Sequence, residues 1–419
     1  MGSNPTASLK IVKNKKYYSW VLYDWANSAY ATIVLAGFFP IIFAEYFAAS
    51  VDQSERTLYL GISNSMASLL LIISAPFFGL LADRFNKKKL FLLIFALVSI
   101  ISTFLLSFIS SNSFILASML FSISLLGFMM SNVFYDSMLL EFENNKFNRI
   151  SSYGYAFGYL GGGIAFVLAI IFLYYAGESS MELIATKKIV FIFTSLWWLL
   201  FMLPLILFWE DKTKPNISKL SVIESFKELF SNKKVFYFLL AYWVYIDGVD
   251  TIIRMAVNYG LTLGFSSSDL LVALLVTQFV SFPGTLVILK ISDFFSIEKA
   301  IMFCLLVYLG ITYLAYNLYT TQQFYIVAII IGFVQGGIQA LSRSYFAALI
   351  PSNRSSEYFG IYNMLGKFAA LLGPILVGLI TFYTSDSRIG IASITIFFLV
   401  GIILFSLSHK IQVINNKTN

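Results

Sequence analysis

Apolar residues come along this chain in long runs, each broken by a short polar stretch. A helix needs about 20 mostly apolar residues to cross a bilayer. Twelve runs reach that length: roughly 18–48, 57–81, 90–110, 113–138, 151–176, 188–209, 234–262, 268–291, 299–319, 323–346, 357–383 and 388–408. Barrel strands are about 10 residues long and alternate in polarity. These runs are twice as long and do not alternate. In hydrocarbon every backbone N–H and C=O must be satisfied within the segment. The pattern therefore predicts an all-α polytopic membrane protein of twelve transmembrane helices.

Composition sharpens this reading. Of 419 residues, 59% are hydrophobic and 18% aromatic, the mean hydropathy is +0.82, and only 12% are charged, against roughly 25% in soluble domains. Those figures exclude a soluble enzyme, a nucleic-acid binder and a disordered chain. The one cysteine, Cys304, lies inside an apolar run, and the one histidine, His409, lies beyond the last run. No intrachain disulfide, thiolate cluster or His-based metal site can be assembled, and no cofactor is expected. No cleavable signal peptide is evident, since the first run follows Lys10, Lys13, Lys15 and Lys16 and itself carries Asp24 and Asn27.

The placement of Lys and Arg predicts orientation. With the N-terminus cytoplasmic, 22 of the 28 basic residues fall on inside segments and four on outside loops; Arg254 and Lys367 remain within apolar runs. Both termini are thus expected in the cytoplasm.

The polar segment 210–233 separates six runs from six, giving halves 1–209 and 234–419. Within the linker, Leu220, Ile223, Phe226, Leu229 and Phe230 recur at helical spacing, which predicts an amphipathic helix on the cytoplasmic membrane face. A faint repeat relates the halves: a shift of 210 residues carries Asp83 to Asp293, Phe114 to Phe324 and Gly127 to Gly337. Six-plus-six repeats are a feature of secondary transporters, whose substrate sites lie near the midplane between them.

Between the second and third runs stands Gly79-Leu-Leu-Ala-Asp83-Arg84-Phe-Asn86-Lys87-Lys88-Lys89. It resembles the signature loop of the major facilitator superfamily, with Asn86 in place of a second glycine. Tyr23-Asp24-Trp25-Ala26-Asn27-Ser28-Ala29-Tyr30, Ser151 through Gly162, Asp247-Gly248 with Thr251-Ile252, Gln335 through Arg343, and Gly366-Lys367 with Gly373-Pro374 resemble one branch of that superfamily. The branch is the unidentified-major-facilitator family, related to the autophagy-linked vacuolar amino-acid effluxers of fungi. The resemblance runs from about Tyr18 to Gly390. It implies a proton- or gradient-driven transporter, with amino acids as one cargo class, and the compactness of this chain beside the fungal relatives points to a bacterial inner membrane. A monomer working with a small-molecule substrate, the lipid bilayer and protons is expected. It also implies that the first, fourth, seventh and tenth runs line a central cavity.

Ionisable groups at membrane depth cost at least about 2.5–3.5 kcal/mol each on the insertion scale, so they mark pairs or a wet cavity. In the seventh run, Asp247, Asp250, Arg254 and Asn258 share one helix face. Asp250 and Arg254, four apart, are expected to pair, leaving Asp247 to meet Lys367. Asp24 and Asn27 in the first run, with Gln335 and Gln339 in the tenth, complete a substrate and proton pathway. Asp24 as an entrance cap, and the four seventh- and eleventh-run charges as a fixed structural knot, are the plainer alternatives. Gly79, Asp83, Arg84, Asp293 and Arg343 form the expected conformational gate; for Arg343 and Asp136, near cytoplasmic helix ends, a structural role is the favoured reading, with Arg343 pairing with Asp293.

The sequence therefore points to a secondary active transporter of a small solute, not an enzyme. A lipid flippase of the same fold, and a transporter-like receptor without flux, are the alternatives. No nucleotide-binding loop is present to support direct ATP-driven pumping.

Overall fold

A computed structural model of the chain describes residues 5–177, 188–211 and 222–418. Among these, twelve helices are long and apolar enough to cross a membrane: Lys15–Phe47, Tyr59–Phe85, Lys88–Leu106, Phe114–Glu141, Asn144–Tyr175, Ile189–Phe208, Lys233–Thr262, Ser268–Phe294, Ile297–Tyr316, Thr321–Leu349, Ser352–Thr384 and Ser387–Lys410. They are called spans one to twelve below. Span for span they match the twelve apolar runs. Several extend further at one end, because a helix keeps its backbone bonds beyond the hydrocarbon-length stretch.

Local signals fix many of the boundaries. The side chains of Asn232, Ser266, Ser296, Thr320 and Asp386 each accept from backbone N–H groups at the start of a helix, satisfying donors the helix leaves open. Thr320 and Gln323 complete a reciprocal capping box ahead of span ten. Span two ends on Asn86 at φ 51° and ψ 45°. This is the left-handed position where the resembled loop has glycine, and asparagine is the residue that tolerates it next best. Span one is the least regular: Tyr30–Phe38 and Phe43–Phe47 are π-helical on either side of Pro40.

The chain divides into two compact units, 1–138 with 157–216 and 139–156 with 217–419. Span five therefore begins in the second unit and continues in the first. Within unit one, span one packs on span six, span three on spans four and six, and span two on span four. Within unit two, span seven packs on span twelve, span nine on spans ten and twelve, and span eight on span ten. Adding six to each number of the first set gives the second, so the repeat glimpsed in sequence is a repeat of packing. The glycine pair of that repeat makes close contacts on both sides, but with different neighbours, span three for Gly127 and span eight for Gly337. A Cβ on Gly127 would lie 2.7 Å from the Phe95 carbonyl oxygen of span three, and one on Gly337 would lie 2.6 Å from Ile288 of span eight.

Candidate functional site

In unit one the polar stripe of span one meets span four. Asn27 donates to Asn132 Oδ1 at 2.6 Å, and the Tyr135 hydroxyl donates to Asp24 Oδ2 at 3.1 Å. Trp20 holds Tyr135 in turn: its ring stacks at 4.2 Å and its indole N–H donates to the Tyr135 carbonyl at 3.0 Å. Asp24 and Asn27 are both buried. Span five reaches this face through glycine. A Cβ on Gly158 would lie 3.0 Å from Asp24 Oδ1, and one on Gly161 would run into the Trp25 ring. Trp25 is packed between span five and the Trp197 ring, 6.1 Å away.

In unit two the charges of span seven are arranged differently from the sequence expectation. Asp250 and Arg254 form no ion pair, and neither holds a hydrogen bond among the described residues. The i,i+4 spacing permits a pair, yet Arg254 is exposed while Asp250 is half-buried. Nor does Asp247 pair with Lys367. Asp247 is 1% exposed, and its Oδ1 accepts from the Gly373 backbone N–H at 3.0 Å and from the Thr251 hydroxyl at 3.3 Å. A backbone donor on span eleven has taken the place expected for the ammonium. Lys367 is half-buried six residues earlier on that span. Gln335 is buried and Gln339 half-buried on span ten. Beside these groups, unit two has an apolar cavity lined by Ile252, Leu270, Phe324, Val327 and Ile391; its hydrocarbon walls offer no charge to a solute.

The expected gate residues fall into separate contacts. Asp83 is buried 4.0 Å from Lys88 Nζ, itself buried, and Arg84 is exposed. Asp293 meets Arg149 at 3.9 Å, both well exposed, and not Arg343. Arg343 is 2% exposed. It donates through Nε to Ser151 Oγ and through Nη2 to Ser151 O, and its guanidinium lies 4.3 Å over the Tyr155 ring. Ser151 Oγ donates onward to the Ala340 carbonyl at 2.7 Å. The run from Ser151 was legible as a motif, but nothing in it marked Ser151 as the partner of an arginine 192 residues away.

One cluster escaped the sequence reading. Arg354 at the start of span eleven is buried, with Glu357 at 3.1 Å and Glu228 of the linker helix at 2.5 Å, and it also donates to Ser225 Oγ. The linker helix Val222–Ser231 is thus fastened to protein, with Ser225 and Leu229 inward and Ile223 exposed. The Arg354–Glu357 spacing of three was the available signal. Leu220 of the expected apolar face lies outside the described residues.

Twelve spans in two equivalent packing sets, with buried carboxylates and amides in the interior of each, define a membrane transporter of the major facilitator class. Solved structures of that class superpose over nearly the whole chain. A bacterial homologue of the iron transporter ferroportin, in an outward-facing state, gives a TM-score of 0.71 at 12% identity, covering 95% of this chain and 99% of its own. The proton:xylose symporter XylE gives 0.70 at 12% identity, covering 96% and 95%. The family model described as vacuole effluxer Atg22 like matches residues 55–415, and the chain belongs to that family. The MFS-type transporter YxiO of Bacillus subtilis (strain 168) is 38% identical over 94% of both chains. Autophagy-related protein 22 of Vanderwaltozyma polyspora is 25% identical over 88% of this chain and 80% of its own. The chain is therefore an integral membrane transport protein.

Proposed function

We propose that this transporter moves a small zwitterionic solute of the amino-acid class by alternating access, driven by a proton gradient. The observation that carries the reading is the pair Asp250 and Arg254. They are opposite charges one turn apart on span seven, and neither is bound to any described residue. Charges at membrane depth persist when something compensates them. A solute presenting an ammonium to Asp250 and a carboxylate to Arg254 compensates both, and the planar guanidinium suits bidentate capture of a carboxylate. Asp24, Asn27, Gln335, Gln339 and Lys367 supply further polar contacts along the pathway, and Asp247 is the proton carrier. Asp83 with Gly79 and Arg84, and Arg343 and Asp293 in the other unit, control the exchange between states. The amino-acid class is also the cargo class implied by the resemblance to the vacuolar effluxers of fungi, and the family description names an effluxer. The kinship with YxiO supports a bacterial plasma membrane, and the Lys and Arg asymmetry supports cytoplasmic termini.

Reconstituted vesicles test this directly. An acid-outside gradient should drive accumulation of one or more radiolabelled amino acids, and Asp250→Asn and Arg254→Gln should each raise the half-saturating concentration at least tenfold. Saturable uptake that ignores both substitutions would remove the pair from recognition. Headgroup-dependent lipid movement with no amino-acid flux would replace the reading with a flippase.

A further inference from the structure

Span eleven carries a proline, Pro374, inside a continuous helix from Ser355 to Thr384. Pro374 has no N–H, so it cannot bond the carbonyl four residues back, and its ring crowds that carbonyl. At the preceding residue the Gly373 N–H donates sideways, out of the helix, to Asp247 Oδ1 of span seven at 3.0 Å. The approach is so close that a Cβ on Gly373 would overlap Thr251 Oγ1 and reach 2.7 Å from Asp247 Oδ1. The helix continues past Pro374 one backbone bond short, and a carboxylate from another helix, span seven, lies on the N–H just before the proline.

We propose that Asp247 is the clasp that holds the two segments of span eleven in their present alignment, and that uptake of the transported proton by Asp247 releases the outer segment. The inference rests on the proton-coupled reading given above and adds how the proton is converted into movement. A hydrogen bond to a carboxylate is about twice as strong as one to a neutral acceptor. Both of the bonds at Asp247 fall on Oδ1, which leaves Oδ2 as the oxygen that takes the proton. Protonation turns the carboxylate into a neutral acid, weakens its hold on the Gly373 N–H, and leaves Pro374 as a hinge with one rung missing. Loss of the proton on the other side restores the clasp.

The groups around Asp247 suit this role. On its own helix the ionisable neighbours are Asp250 and Arg254, with Tyr242 and Tyr245 on the preceding turns. On span eleven Lys367 stands six residues before Gly373, about 9 Å along the axis at 1.5 Å per residue; Tyr362 stacks on Tyr242 at 4.1 Å. Span twelve presents Phe397 and Phe398 beside Gly248, with its charges Arg388 and Lys410 toward its ends. Span ten carries the uncharged Gln335 and Gln339, and its Arg343 is engaged by Ser151. Span eight has Asp269 and Lys290 toward its ends. The carboxylate therefore keeps a backbone N–H, not a fixed counter-ion, as its partner, and a backbone N–H can be released without stranding a buried cation.

The test uses the full chain in nanodiscs with Cys304→Ser and spin labels at Tyr313→Cys and Tyr383→Cys, exposed positions on spans nine and eleven. Pulsed electron–electron distances are recorded in acid and alkaline buffer. With Asp247 intact, a second distance should grow on acidification. Asp247→Asn keeps a neutral acceptor that does not titrate, so its distribution should be the same in both buffers. Asp247→Ala should show both distances in both buffers, and Pro374→Ala should suppress the second. A full acid response in Asp247→Asn, or one unchanging distance with Asp247 intact, overturns the clasp. Gradient-driven uptake is measured on the same preparations. Proton-driven uptake with unchanging distances sinks the clasp alone, whereas responsive distances with uptake indifferent to the gradient leave the clasp standing and sink the coupling.

Discussion

Arg343 grips Ser151 twice, through Nε to the hydroxyl at 2.8 Å and through Nη2 to the carbonyl at 2.9 Å. The guanidinium is buried, and its face lies 4.3 Å over the Tyr155 ring. Lysine has neither the fork nor the flat face. Arg343→Lys should therefore lower stability by about 1.5–3 kcal/mol, the range for hydrogen bonds to charged groups, and Ser151→Ala by roughly half as much. Arg149→Gln, at an exposed pair 3.9 Å from Asp293, should cost under about 1 kcal/mol. Thermal unfolding in detergent ranks the three. Equal shifts for Arg343→Lys and Arg149→Gln would show that the burial of Arg343 contributes nothing.

Asn86 invites a backbone test. At φ 51° a residue with a Cβ and no side-chain compensation pays roughly 1–2 kcal/mol. Asn86→Gly should keep or slightly raise the melting temperature, while Asn86→Val should lower it. A stable valine variant would mean that the end of span two has rearranged.

Gly127 and Gly310 should respond oppositely to alanine. A Cβ at Gly127 would lie 2.7 Å from Phe95 O and 2.8 Å from Ser99 N, backbone atoms that cannot turn aside, whereas Gly310 has nothing within 4 Å. Gly310→Ala should be neutral or stabilise by about 0.5–1 kcal/mol through lost backbone entropy. Gly127→Ala should cut the yield of folded protein. Comparable yields would show that spans three and four can part without loss.

The linker clamp depends on burial. Glu357 is 0% exposed and Glu228 54% exposed around the same arginine. Glu228→Gln should cost under about 1 kcal/mol. Arg354→Met takes the guanidinium from a buried carboxylate and should cost about 3–5 kcal/mol. Arg354→Met with Glu357→Gln should recover part of that loss. Absence of recovery would place the effect elsewhere than in the charge pair.

Orientation is testable because Cys304 is fully buried and does not compete for reagent. Ser111→Cys, on an outside loop by the charge asymmetry, should react with an impermeant maleimide in intact cells. Lys87→Cys should react only after permeabilisation. The reverse pattern would invert the topology.

The order of residues along the chain is enough to show that twelve helices cross a membrane, that they come as six and six, and that a short basic loop around Asn86 and Lys87 joins the second to the third. Each of those facts depends on neighbours in the chain: hydrocarbon length sets the spans, capping side chains set many of their starts, and asparagine accepts the left-handed turn at position 86. It also singled out Asp24, Asn27 and Asp247 as polar groups at membrane depth. What only the tertiary structure decided is who holds them. Asp250 and Arg254 have the spacing of a pair and do not meet, because spacing fixes which face a side chain leaves from and not where its tip goes. Charge alone points Arg343 to Asp293, but Asp293 meets Arg149 and the guanidinium donates to a serine hydroxyl and carbonyl. Asp247 is pointed to Lys367 by charge alone. Its partner is the N–H of Gly373, a backbone group that every residue but proline carries and that span eleven turns outward beside Pro374.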